Sequence, residues 1–98
     1  MEVDFEDDSL KRLEAEPAYT AGYDAAIVKA FRKRMQVIRA APDERAFYAL
    51  KSLHFEKLKG DRDGQHSMRL NDQWRLILRL TQDPSGKRVA VISIVDYH

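Results

Sequence analysis

The apolar positions change period once along the chain. Ile27, Phe31, Met35 and Ile38 recur every three or four residues, with Ala30 and Arg34 alongside. Lys29, Arg32, Lys33, Gln36 and Arg39 take most of the remaining surface. This spacing predicts an amphipathic helix. Asp24 is its N-cap by residue type. Ala41-Pro42 ends it, because proline lacks the N–H that the ladder needs and restricts the residue before it. Asp43 can then cap a short helix running to about Ser52, with Phe47 and Leu50 inward. Upstream, Ser9–Glu16 is weakly helical and is closed by Pro17. Val3–Phe5 is a short apolar start of edge-strand type, and Tyr19–Tyr23 is a loop.

Beyond residue 64 the period falls to two. Gln65–Leu70 can form a strand. Trp74, Leu76, Leu78 and Leu80 alternate with Arg75, Ile77 and Arg79, which gives a strand with one apolar face. Asp83-Pro84-Ser85-Gly86 is a turn by composition. Val89, Val91, Ser93 and Val95 alternate with Ala90, Ile92 and Ile94. This strand is apolar on both faces and is expected at the centre of a sheet. The expected fold is a single α+β domain over residues 1–98. Its helices, near 24–41 and 43–52, pack on one face of a small antiparallel sheet built from residues 65–98. Trp74, Leu76, Leu78, Phe31, Met35 and Ile38 are the expected core.

Composition narrows the function classes. The 98 residues suffice for one core and include no cysteine. A disulfide framework, a cysteine nucleophile and a Cys-based metal site are therefore excluded. The three histidines show no i,i+4 pair, so no metal and no cofactor is expected. There is no P-loop and no Gly-x-Ser-x-Gly elbow. No apolar run approaches the roughly 20 residues of a membrane span. The acidic start, Glu2 to Asp8, is unlike a signal peptide, so the expected location is the cytoplasm. The net charge of +1 hides an asymmetry. Residues 1–24 hold eight acidic and two basic side chains, a net of −6. Residues 25–98 hold fifteen basic and eight acidic, a net of +7. A basic body suits a polyanionic partner, and equally a solvated surface.

Two segments carry the chemistry. One runs Lys57-Leu58-Lys59-Gly60-Asp61-Arg62-Asp63-Gly64-Gln65-His66-Ser67-Met68-Arg69-Leu70-Asn71-Asp72-Gln73-Trp74-Arg75. The other is the terminal Ile94-Val95-Asp96-Tyr97-His98. Together they resemble the HigB branch of the RelE/ParE toxin superfamily. That family carries Leu-x-Gly-x-x-x-Gly, here Leu58, Gly60 and Gly64. A strand and Asn-Asp-Gln-Trp-Arg follow, here Asn71–Arg75, and the pattern closes on Asp-Tyr-His, here Asp96–His98. The resemblance covers residues 25–98 well and the acidic first 24 poorly. It implies a RelE-like fold and a toxin of a type II toxin–antitoxin system. It further implies a metal-independent endoribonuclease that cleaves messenger RNA in the ribosomal A site and so stops translation. The implied partners are the ribosome, its mRNA and a HigA-type helix-turn-helix antitoxin, with operator DNA reached only through the antitoxin complex. The rival within the superfamily is a non-catalytic ParE-like toxin that occupies a protein target such as gyrase.

Metal-free RNA cleavage needs a base for the ribose 2′-hydroxyl, an acid for the leaving 5′ oxygen and cations for the phosphorane charge. Histidine suits proton exchange near neutral pH, and arginine presents a planar fork to phosphate. Alternation turns Arg75 and Arg79 away from the Trp74 face. It also puts Asp96 and His98 together on one face of the last strand, the expected RNA floor. The resemblance assigns catalytic roles to Asp96, His98, Arg75 and Lys59. Asp96 could equally pair with an arginine across the sheet. Tyr97 could pack in the core or stack on a base. His54 is a candidate acid–base or phosphate group, whereas His66 is expected to be a hydrogen-bonded structural histidine. Lys57, Arg62, Arg69 and Arg79 are candidate RNA contacts, and the basic helix from Lys29 to Arg39 could meet ribosomal RNA or simply be solvated.

Overall fold

The computed structural model describes residues 1–96, so Tyr97 and His98 lie outside the described residues. The chain opens with strand β1, Glu2–Phe5, and helix α1, Asp8–Ala15. Helix α2, Ala25–Ala40, and the short α3, Arg45–Ala49, follow. Strands β2 (Glu56–Lys57), β3 (His66–Arg69), β4 (Trp74–Asp83) and β5 (Gly86–Asp96) complete the chain.

Local chemistry sets the helix ends. Asp7 caps α1 through its carboxylate, which accepts from the Ser9 N–H at 2.8 Å. Asp24 caps α2 as its residue type predicts, accepting from the Ile27 N–H at 3.0 Å. The third helix is shorter than expected. Residues 45–49 are α-helical, a 3-10 turn covers 51–53, and Glu44 takes the cap position without a side-chain bond. Asp43 instead binds Arg45, both at its backbone N–H and at its guanidinium. The helix ends where Leu50 leaves the helical conformation, at φ −93° and ψ 91°.

The sheet has the order β1-β5-β4-β3-β2. From β2 to β5 every pairing is antiparallel. The exception is β1, which pairs parallel to β5 and makes the sheet mixed. An antiparallel partner would follow β5 directly, whereas β1 joins from the far end of the chain. The expected central place of β5 is what the order shows, and β1 is indeed an edge. Pro84 and Ser85 form the two-residue link between β4 and β5, with the Asp83 carboxylate accepting from the Ser85 N–H at 2.9 Å.

The register identifies the two faces. Leu76 pairs with Ile94, Leu78 with Val91 and Leu80 with Val89, all on the helix side. Phe31, Met35 and Ile38 of α2 and Leu10 and Leu13 of α1 close over them, each at most 1% exposed. Trp74 is at the margin of this core, partly buried and edge-on to Tyr23 at 6.1 Å. The opposite face carries Arg75, Ile77 and Arg79 of β4.

One irregularity matters for everything at the C-terminal end. The β4–β5 register jumps between the pairs Ile77–Ser93 and Leu78–Val91, leaving Ile92 as an extra residue. This bulge reverses the alternation of β5 beyond it. Val89 and Val91 face the helices before the bulge, and Ile94 does so after it.

Leu78 is wholly buried and central to β4. Leu78→Ala is expected to cost about 2–5 kcal/mol, the usual range for a buried leucine truncation. Urea melts measure this directly, and a loss below about 0.5 kcal/mol would mean that the strand faces are inverted.

Candidate functional site

At one end of the sheet the strands bring three arginines together. Arg69 ends β3 and pairs across the ladder with Arg75, the second residue of β4. Directly opposed residues have Cα atoms about 4.5–5.5 Å apart, and like charges there are unfavourable. Both side chains are only partly exposed. The surroundings offset the repulsion in part. Arg69 pairs with Asp72 of the following loop. Arg75 donates to the Asn71 carbonyl at 2.6 Å and to the Trp74 carbonyl at 3.2 Å. The loop itself is held by the Asn71 side-chain oxygen, which accepts from the N–H groups of Gln73 and Trp74. This explains the use of Asn at the head of the Asn-Asp-Gln-Trp-Arg stretch: its amide oxygen replaces a backbone turn acceptor.

Arg34 is the third cation. From α2 its Nε donates to the Arg69 carbonyl at 2.7 Å. Burial, and then the charge of Arg69, hold its guanidinium below the ordinary arginine value. Reading the sequence alone passes over Arg34 as a candidate. The available signal was its position beside the apolar stripe of α2, where a charge needs a partner.

Asp96 stands at the same end but on the other face. The expectation that it shares the face of Arg75 is corrected by the bulge at Ile92. Its partner is Trp74, on the helix side, whereas Arg75 pairs with Val95. Asp96 is exposed, and its carboxylate accepts from the Gln73 side-chain amide at 3.1 Å. Arg75 and Asp96 thus flank the rim of the sheet from opposite sides. Tyr97 and His98 follow Asp96 in sequence and lie outside the described residues.

The remaining candidates scatter. The 58–65 loop leaves the sheet at the end of β3 opposite Arg69, and β3 itself spans about 10 Å. Lys59 and Arg62 are exposed in that loop and do not join the arginine cluster. Arg62 donates to the Gln65 side-chain oxygen at 3.1 Å. Lys57 pairs with His66, on the helix-facing side of β2. His54 is exposed and holds a left-handed conformation with φ of 45°. It precedes Glu56 by two residues as Arg69 follows Ser67 by two. The antiparallel Glu56–Ser67 pair therefore puts His54 and Arg69 at the same end of the hairpin. Arg79 lies on the Arg75 face, four residues further along β4, and pairs with Glu6 at 3.0 Å.

The basic side of α2 divides into two uses. Arg32 donates to four carbonyls, of Leu13, Glu16, Pro17 and Tyr19, and ties α2 to the end of α1. Arg39 forks onto Glu14 with two bonds of 2.7 Å. Lys29 and Lys33 instead form a ridge between two shallow grooves, one toward Pro17 and Val28 and the other toward Ala30 and Leu70.

His66 is buried and stacked on Phe55, with ring centroids 4.9 Å apart and an interplanar angle of 7°. The expectation of a hydrogen-bonded histidine is not met at Nδ1, which has no partner among the described residues. Stacking, and not a polar contact, fixes the ring.

The fold is that of the RelE-like toxins. The profile of the HigB-like toxin family, described as the RelE-like toxin of the type II toxin–antitoxin system HigB, matches residues 3–98. The chain belongs to this family and is a toxin of the type II class. The match includes the acidic N-terminal segment that the motif resemblance left out. Among solved structures, a YoeB/ParE toxin from Agrobacterium tumefaciens superposes with a TM-score of 0.60 at 21% identity over the whole of both chains. The toxin in a YoeB–YefM complex from Staphylococcus aureus gives 0.60 at 19% identity, covering all of this chain and 97% of that one. No curated protein matches the chain. No helix among the described residues is long and apolar enough to cross a membrane.

Burial lowers the His66 pKa from its ordinary 6.5, and the nearby Lys57 charge adds to the effect. The unfolded chain therefore binds this proton more readily than the folded one. Stability is full above about pH 6.5 and falls as the pH drops through the folded pKa. His66→Leu is expected to flatten the stability profile between about pH 7 and 5, as followed by urea melts. An unchanged acid slope in the variant would assign the effect to other groups.

Proposed function

We propose that this toxin is a ribosome-dependent, metal-independent endoribonuclease that cleaves messenger RNA and so arrests translation. The observation that carries the reading is the opposed Arg69–Arg75 pair, with Arg34 behind it, at the end of the sheet where β5 reaches Asp96. A sheet gains nothing from two facing cations, so the arrangement suits a ligand with concentrated negative charge.

In this reading a phosphodiester sits over Arg75 and Arg69. The 2′-hydroxyl oxygen attacks phosphorus, the bond to the 5′ oxygen breaks, and the two guanidiniums stabilise the phosphorane oxygens. Asp96, across the rim, takes or orients the 2′ proton. His98 returns a proton to the 5′ oxygen. His54 stands at the arginine end of the hairpin and is the second candidate acid–base group. Tyr97 offers a ring for base stacking. Lys59, Arg62 and Lys57, at the far end of β3, contact flanking RNA and not the scissile phosphate. The Lys29–Lys33 ridge is assigned to ribosomal RNA.

The system class supplies the remaining partners. The toxin acts in the cytoplasm, a HigA-type antitoxin neutralises it, and operator DNA is met only through the complex. The Staphylococcus structures contain YefM with YoeB, which shows such pairing for those proteins.

Arg75→Ala and a deletion of His98 test the mechanism. Each should cut the rate of message cleavage, with loss of one charge-stabilising donor costing about 10²–10³-fold. Circular dichroism should show both variants folded, because Arg75 is outside the apolar core and a terminal side chain contributes little packing. Primer extension on a translated message reads the outcome. Cleavage at the parental rate by a folded His98 deletion removes the acid from the scheme. The ParE-like reading, in which a protein target is occupied, would then replace it.

A further inference from the structure

The face bearing Arg75 continues beyond the arginine pair. Ile77 follows, flanked by Ser67 and Ser93 on the neighbouring strands. Ile77 and Ser67 are each 2% exposed, so neighbouring groups cover this uncharged stretch. The Ser93 hydroxyl is buried and has no hydrogen-bond partner among the described residues. Arg79 comes next, about 13 Å from Arg75 along the strand. Arg88 lies on the same face at the β1 side.

These two further cations are covered by acids from the N-terminal segment. Glu2 pairs with Arg88 and Asp4 with Ala90 in the β1–β5 ladder, and Glu6 continues the chain on that face. Asp4 takes both arms of Arg88 at 2.9 Å each, and Arg88 is also 3.6 Å from Asp83. Glu6 holds Arg79 by a single bond of 3.0 Å, and both side chains are 43% exposed. The two contacts differ in kind. A two-armed pair with a second acid nearby anchors β1. A single, solvated pair is weak and is screened by salt.

We propose that Arg79 is a second phosphate subsite for single-stranded RNA and that Glu6 is its resident, displaceable mask. This rests on the reading of the Arg75 face as the RNA-binding surface and extends it. An RNA strand that reaches both stations contacts them with different phosphates, across the uncharged stretch of Ile77, Ser67 and Ser93. An internucleotide phosphate, with two non-bridging oxygens sharing one charge, can engage the guanidinium fork that the single, exposed Glu6 contact does not fill. The mask makes RNA that fails to reach Arg79 insensitive to Glu6, and it lowers the affinity of RNA that does.

The test uses the full chain and a fluorescent, 2′-O-methylated RNA of eight or so nucleotides, which cannot be cleaved because its 2′ oxygens are blocked. Anisotropy titrations at several salt concentrations compare wild type, Glu6→Gln, Arg79→Gln and Glu6→Gln/Arg79→Gln. Glu6→Gln should bind roughly three- to tenfold tighter at low salt. Its log–log salt slope should steepen by about 0.7, the value of one added single-strand phosphate contact. The double variant should lose that gain, and a two-nucleotide RNA should not register it. Melting curves of Glu6→Gln should match wild type, since an exposed pair adds little stability. A gain that persists in the double variant is a general charge effect and overturns the subsite. So does an unchanged affinity in Glu6→Gln. If binding still depends on Arg75 in that case, the nuclease reading stands without the mask. If no variant binds any RNA and Arg75→Ala changes nothing, both readings fall together.

Discussion

The helix side of β4 and β5 has to be filled with apolar side chains along its whole length, and the bulge at Ile92 is what achieves this. Val89 and Val91 are two apart, but the next residue on that side is Ile94, three further on. Strict alternation would turn Ser93 toward the core of α1 and α2 and Ile94 away from it. One extra residue restores the apolar side and sends Ser93 to the open face. The gain is the burial of Ile94, 8% exposed, against the helices. Everything beyond residue 92 inherits the reversal.

That reversal shapes the rim. Asp96 comes to the Trp74 side and meets Gln73, while Arg75 and Arg69 stand on the open face. Acid and cations flank the end of the sheet instead of pairing side by side on one surface. An acid placed beside the two arginines would neutralise the charge that a phosphate could use. Held across the rim, it leaves the open face cationic while remaining at the same end of the strands.

The N-terminal segment works in the opposite sense. It supplies an edge strand, closes the sheet next to β5 and carries its acids onto the face that also bears Arg79 and Arg88. At the β1 end, Asp4 and Glu6 of this segment thus cover Arg88 and Arg79. The asymmetry of −6 and +7 between the two parts of the chain becomes a spatial gradient once β1 docks. Arg32 and Arg39 show the same economy on α2, where two of the basic residues serve as struts and not as binding groups.

The sequence by itself determined the element types, the capping of α2 by Asp24, the apolar face of β4 and the central place of β5. Each follows from local periodicity or from a residue acting within a few positions of itself. It also held the motif set that marks the family. Only the tertiary structure decided the parallel pairing of β1, the bulge, the short third helix and the side on which Asp96 stands. It alone brought Arg34 to Arg69 and Glu6 to Arg79, and it alone kept Lys59 away from Arg75. The pairing of β1 with β5, of Arg34 with Arg69 and of Glu6 with Arg79 joins segments far apart in sequence, and the bulge is a slip of one residue in a ladder. A period-two pattern cannot locate such a slip when both faces of a strand are apolar, because either register buries comparable side chains.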